Sequence, residues 1–143
     1  MESTIALASI RVMIVDDSAA VRQGLESILR ASPGMTVVAT AVNGEQAIDG
    51  VAEHDPDVVL MDSQMPDMNG VEATRRIKEA WPAVQVLFLT VHPSHIDAGL
   101  AAGADAALLK DVDPQELVTA IRELASPPWW PAQHSVTVAS LDK

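Results

Sequence analysis

Five polar side chains stand where short apolar runs end: Asp16 and Asp17 after RVMIV, Asp62 after VVLM, Thr90 after VLFL and Lys110 after AALL. Three carboxylates brought together raise one another's pKa unless a cation lies among them. Hard oxygen ligands with no cysteine and no local histidine suit Mg²⁺, which takes a few carboxylates plus water and a phosphate. A lysine facing them would hold an anionic group as a point charge, and a threonine hydroxyl would donate to it. Nucleophilic carboxylate, metal, cation and donor are together the parts of a phosphoryl-transfer site built on an aspartate. Each residue alone has a plainer reading. Asp16 or Asp17 would cap the next helix, Asp62 would be a turn acid before Met65-Pro66, Thr90 an ordinary strand end and Lys110 a solvated lysine. Taken jointly they all terminate strands, and the ligand crevice of an open α/β sheet lies at those ends.

The elements that must position them are legible as an alternation. Residues 11–15, 35–40, 58–61, 84–89 and 106–109 are short, rich in Val, Leu and Ile, and mostly lack polar alternation, as strands covered on both faces do. Amphipathic stretches separate them: Val21, Leu25, Ile28 and Leu29 recur at helical spacing, and so do Leu117, Ile121 and Leu124. Helix starts are marked by Asn43 three before Gln46, Asn69 three before Glu72, and Asp113 three before Glu116 with Pro114 between. Gly34 and Gly103 stand where the first and fourth helices should stop. Five β–α units with right-handed crossovers predict an α/β fold with a doubly wound parallel sheet.

Composition narrows the function classes. The chain has 143 residues, with 20 Asp+Glu against 9 Lys+Arg and a net charge of −11, which argues against direct nucleic-acid contact. Lysine occurs only at Lys78, Lys110 and Lys143. The absence of cysteine excludes disulfides, thiolate nucleophiles and Cys-based metal sites. The start MESTIALASIRVMIV has no basic n-region and makes a poor signal peptide. No apolar run approaches the roughly 18 residues of a membrane span, so no membrane contact is expected and a cytoplasmic location is. Residues 1–9 read as an N-terminal extension and 10–125 as the domain. Residues 126–143 read as a tail opened by SPPWWP, whose Trp129 and Trp130 would pack back on the body, form a partner or dimer patch, or belong to a linker. Val136-Thr-Val-Ala is a weak strand pattern.

From Ile10 to Ala125 the chain resembles the receiver domain of bacterial two-component response regulators. VMIVDDS, VVLMDSQMPDMNG, VLFLT and AALLKD occur in that order, and LLKDVDPQELVTAIREL is most similar to the NarL/FixJ branch. The resemblance implies a (βα)5 flavodoxin-like, CheY-like sheet of order 2-1-3-4-5. It makes Asp62 the phosphoacceptor, Asp16, Asp17 and Asp62 with the backbone carbonyl of Gln64 the Mg²⁺ ligands, Lys110 the phosphate-binding lysine and Thr90 the switch hydroxyl. Pro66 and Gly70 shape the loop. It implies a sensor histidine kinase as donor, a homodimer as an optional assembly, and a switch with slow self-dephosphorylation rather than a metabolic enzyme. Residues after Ala125 are too few for a helix-turn-helix. The chain is therefore either a stand-alone receiver or part of a longer transcription factor, which the NarL/FixJ-like ending favours.

The sequence departs from the family pattern at four places. Ala107 occupies a position that usually carries an aromatic, often Tyr, and the chain has no Tyr and one Phe, Phe88. The segment between Thr90 and Lys110 is about two residues short, so a short fourth helix beginning near Ser94 or His95 is expected. Val91 stands where relatives prefer Ala or Gly. Ser63 follows the nucleophile where an aliphatic residue is usual, and no role is assigned to it. His92 and His95 read as loop histidines near the crevice mouth with an influence on pH response, rather than as metal ligands. Met61, Met65 and Met68 read as core and loop filling. Two other functions compete: a constitutive interaction module with impaired switching, and a Mg²⁺ phosphohydrolase with an aspartyl nucleophile. The latter is disfavoured because no second acid lies two residues after Asp62.

Overall fold

A computed structural model describes residues 9–126. The readings made for Trp129, Trp130 and the Val136 strand pattern lie outside the described residues. Five parallel strands, β1 (Ile10–Val15), β2 (Met35–Ala41), β3 (Val58–Asp62), β4 (Gln85–Thr90) and β5 (Ala106–Leu109), form one sheet in the order β2-β1-β3-β4-β5. The chain moves outward from β1 to β2, then crosses back to add β3 on the other side. The strand order therefore reverses between β1 and β3, and a crevice opens at their carboxyl ends. Helices α1 (Ala19–Arg30), α2 (Gly44–His54), α3 (Gly70–Ala80), α4 (Ile96–Ala101) and α5 (Pro114–Leu124) cover the two faces.

Side chains alternate across a strand, which divides the apolar runs into two cores. Met13, Val15, Val59, Met61, Val86, Phe88 and Ala107 pack under α2, α3 and α4 with Ala47, Val51, Ile77 and Ile96. Val12, Ile14, Leu60, Leu87, Leu89 and Leu108 pack under α1 and α5 with Leu29, Leu117 and Ile121. From Val12 in β1, through β3 and in β4 beyond Gln85 both faces are buried, so these strands show no polar alternation, whereas the edge strand β2 is only partly buried.

The helix punctuation holds, with two adjustments. Asn43, Asn69 and Asp113 cap α2, α3 and α5 by accepting from the N–H groups of Gln46, Glu72 and Gln115 at 2.8, 3.0 and 2.8 Å. Helix α1 is capped by Ser18, whose Oγ accepts from Val21 N–H at 3.3 Å, so neither Asp16 nor Asp17 serves that purpose. Gly103 ends α4 with φ +111°, and the bonds Gly103 N–H to Leu100 O and Ala104 N–H to Gly99 O complete a Schellman motif. Gly34 does not end α1, which stops at Arg30 with Ala31 as C-cap; its φ of +81° serves the turn into β2. Helix α4 is a six-residue helix preceded by one 3-10 turn at Pro93–His95, as the shortened segment requires.

Candidate functional site

β1 and β3 are neighbours, so the residues at their carboxyl ends meet. Asp16 and Asp62 are buried, Asp17 is exposed at the rim, and oxygens of the three lie within 4.8 Å of one another. Lys110 reaches in from the end of β5. Its Nζ lies 2.5 Å from Asp16 Oδ2 and 2.9 Å from Asp62 Oδ1, so one scarce cation bridges two buried carboxylates. The reading of Lys110 as a solvated side chain therefore fails.

The backbone around each acid is fixed. Ser18 N–H donates to Asp16 Oδ1 at 2.9 Å, and the Arg22 guanidinium donates to the Asp16 carbonyl at 2.7 Å. Ser63 N–H donates to Asp62 Oδ1 at 2.8 Å, and Gly70 N–H donates to the Ser63 carbonyl at 3.0 Å. Gly70 begins α3 against this turn so closely that a Cβ there would lie 1.7 Å from the Asp62 carbonyl oxygen. A side chain at position 70 is thus incompatible with the present position of the Asp62 backbone.

Burial and charge oppose each other here. Burial pushes the Asp62 carboxyl up, and the Asp16 charge adds to this; the hydrogen bond and charge of Lys110 and the Ser63 N–H counter it without cancelling it. Burial would lower Lys110, but its hydrogen bonds to Asp16 and Asp62 and their negative charges outweigh that and hold the ammonium above its ordinary value. The site therefore favours added positive charge. Three converging hard oxygen donors on an acidic rim fit Mg²⁺.

The crevice has a volume of about 700 Å³ and is lined by Asp16, Asp17, Asp62, Ser63, Gln64 and Lys110, with Val91, His92 and His95 on one side. Gln64 and Val91 are exposed at its mouth. His92 and His95 are thus local after all, with ring centroids 4.5 Å apart. His92 Nε2 lies 3.0 Å from Gln64 Oε1. Thr90 is buried behind Ser63 and does not line the crevice: its Oγ1 accepts from His92 N–H at 3.0 Å and lies 2.7 Å from Ser63 Oγ. Ser63 Oγ in turn lies 3.0 Å from His95 Nδ1.

Sequence reasoning missed Ser63 and Arg22. The only signal for Ser63 was a hydroxyl residue beside Asp62 where the family pattern has an aliphatic one. Arg22 carried none, because its contact is to a backbone carbonyl. Met61 is core, and Met65 and Met68 pack against it, as expected.

Residues 12–122 match the response regulator receiver domain family. The chain is 41 % identical over 118 residues to the transcriptional regulatory protein DegU of Brevibacillus brevis, covering 81 % of this chain and 50 % of that one. It is 34 % identical over 117 residues to the nitrate/nitrite response regulator protein NarL of Escherichia coli, covering 80 % and 54 %. It superposes with a TM-score of 0.78 and 36 % identity on a LuxR-family two-component response regulator from Aurantimonas, covering 82 % of this chain and 85 % of that one. The chain spans about half the length of the curated relatives it matches.

Proposed function

This chain belongs to the response regulator receiver domain family, and on that premise we propose that Asp62 accepts a phosphoryl group from a phosphohistidine on a sensor histidine kinase. The observation that carries this is Lys110 bridging Asp16 and Asp62 at the end of β3. Such a site holds a carboxylate nucleophile beside a fixed cation and two further acids. Asp16, Asp17, Asp62 and the Gln64 carbonyl would hold Mg²⁺, which supplies positive charge to the transferred phosphoryl oxygens. The Asp62 carboxylate attacks phosphorus in line, the new O–P bond forms as the P–N bond to the donor breaks, and the imidazole leaves. Lys110 remains paired with Asp16 and turns its other bond from Asp62 to a phosphoryl oxygen. Thr90 contributes its hydroxyl once it leaves Ser63. Phosphorylation adds close to two negative charges, and the rearrangement of Lys110 and Thr90 around them shifts a resting-to-active equilibrium.

The output we propose is control of transcription, as in the regulators the chain is similar to, through a DNA-binding domain outside these residues. The chain itself then works in the cytoplasm as a phosphoacceptor with slow self-dephosphorylation rather than as a metabolic enzyme. It makes no nucleic-acid or membrane contact, and a second copy is an optional partner. Among the described residues no helix is long and apolar enough to cross a membrane.

A second reading, a constitutive interaction module with impaired switching, draws on one observation. Ala107 is fully buried at the position where the family usually carries an aromatic. Fluorine NMR with beryllofluoride and Mg²⁺ separates the two. The switch predicts a bound resonance, absent in Asp62→Asn, accompanied by backbone amide shifts beyond the crevice. A bound resonance with shifts confined to residues touching the ion favours the module, and no bound resonance removes the phosphoacceptor reading.

A further inference from the structure

Ser63 joins the crevice to α4. It is 4 % exposed, and its backbone is pinned on both sides, by N–H donation to Asp62 Oδ1 and by acceptance from Gly70 N–H. Its Oγ therefore has a fixed place, 2.7 Å from Thr90 Oγ1 and 3.0 Å from His95 Nδ1. A serine hydroxyl has one proton and must divide its bonding between these two partners. When Ser63 donates to His95, Thr90 donates to Ser63, and the Thr90 proton is committed. Thr90 then has none to offer an anion on Asp62. It is released when its bond to Ser63 opens, or when the chain reverses so that His95 Nδ1–H donates to Ser63 and Ser63 to Thr90. The reversal places the proton on His95 Nδ1, and opening the Thr90 bond removes the donor that polarises the Ser63–His95 bond.

His95 is the residue at the head of α4, where it makes no side-chain capping bond. Helix α4 otherwise rests directly on the sheet. Ile96 is fully buried, and Gly99 lies on the Phe88 ring so closely that a Cβ would sit 2.5 Å from it. Phe88 is the cross-strand partner of Ala107, so the ring beneath α4 comes from β4 and has a small neighbour on β5. A side-chain polar link from the crevice to α4 thus runs Thr90–Ser63–His95, beside a backbone route in which His92 N–H donates to Thr90 and the His92 carbonyl accepts from His95 N–H.

We propose that Ser63 is a positioning residue that holds the Thr90 hydroxyl in the resting state and, through His95, makes the head of α4 respond to an anionic group on Asp62. This rests on the phosphoacceptor reading. It gives a chain with Ala107 a route to α4 that needs no aromatic at position 107.

The test is titration of the full chain with beryllofluoride and Mg²⁺ at fixed pH, reading bound fluoride and the imidazole resonances of His95. In the parent protein the His95 resonances shift as the adduct forms. Ser63→Ala forms the adduct with an apparent affinity higher by about two- to ten-fold, the range set by one competing hydrogen bond, and its His95 resonances no longer respond. Ser63→Thr, which keeps the hydroxyl, restores both parent properties. His95→Ala removes the competing acceptor and raises affinity in the same direction, and the double variant gains nothing over Ser63→Ala. An adduct that leaves His95 unmoved in the parent, or an unchanged affinity in Ser63→Ala and His95→Ala, overturns this inference while the phosphoacceptor reading stands. No adduct in the parent overturns both.

Discussion

Asp62 is held in a state that favours its own neutralisation. Its carboxyl lies above the ordinary 3.8 because burial outweighs the help of Lys110. Between 3.8 and the raised folded value the native state binds more protons than the unfolded chain, so stability falls as pH rises through that window. Asp62→Asn removes this dependence. We expect the variant to be more stable than the parent at neutral pH, with the advantage shrinking as pH falls toward and below 3.8. Urea unfolding across pH measures it, and an Asn variant less stable than the parent at neutral pH would count against the strained carboxylate. At this scale the sequence spoke where residue types are scarce. Lysine occurs three times, and the one at a strand end proved to be the bridging cation. Ser63 stayed silent because serine is common, and a hydroxyl's role depends on partners 27 and 32 residues away.

Elements set the acids in place through short punctuated joints. The cap is Ser18 rather than either aspartate, which leaves Asp16 and Asp17 to face the crevice, and Gly70 lets α3 begin against the Asp62 turn. Two glycine substitutions separate contact from flexibility. Gly70→Ala must push α3 or the Asp62 turn aside, and we expect a loss of about 2–3 kcal/mol together with impaired adduct formation. Gly24→Ala lies within α1 with nothing within 4 Å of its Cβ, and should gain about 0.5–1 kcal/mol. Chemical denaturation of both variants checks the pair; equal effects would contradict the close approach at Gly70. The strands and the caps at Asn43, Asn69 and Asp113 were legible because they rest on local period and on side chains bonding within three residues. Gly34 misled because positive φ serves turns as well as helix ends, and sequence position alone does not distinguish them.

The whole molecule carries a charge of −11, and the fold brings three of its acids together. Composition argued against nucleic-acid contact but could not say which of the 20 acids converge. The order of the apolar runs did that, because parallel strands place their carboxyl ends on one edge. Periodicity led as far as a doubly wound sheet, while the strand order 2-1-3-4-5 came through the family motifs, since local patterns do not encode which strands become neighbours. The central claim is that this edge is a phosphoacceptor site with Asp62 as nucleophile. Its most direct measurement is incubation with acetyl phosphate and Mg²⁺, borohydride reduction of the acyl phosphate, and peptide mass spectrometry. The account predicts reduction at residue 62 alone, dependent on Mg²⁺ and lost in Asp62→Asn. Modification at another residue, or none under conditions in which the chain is folded, would contradict it.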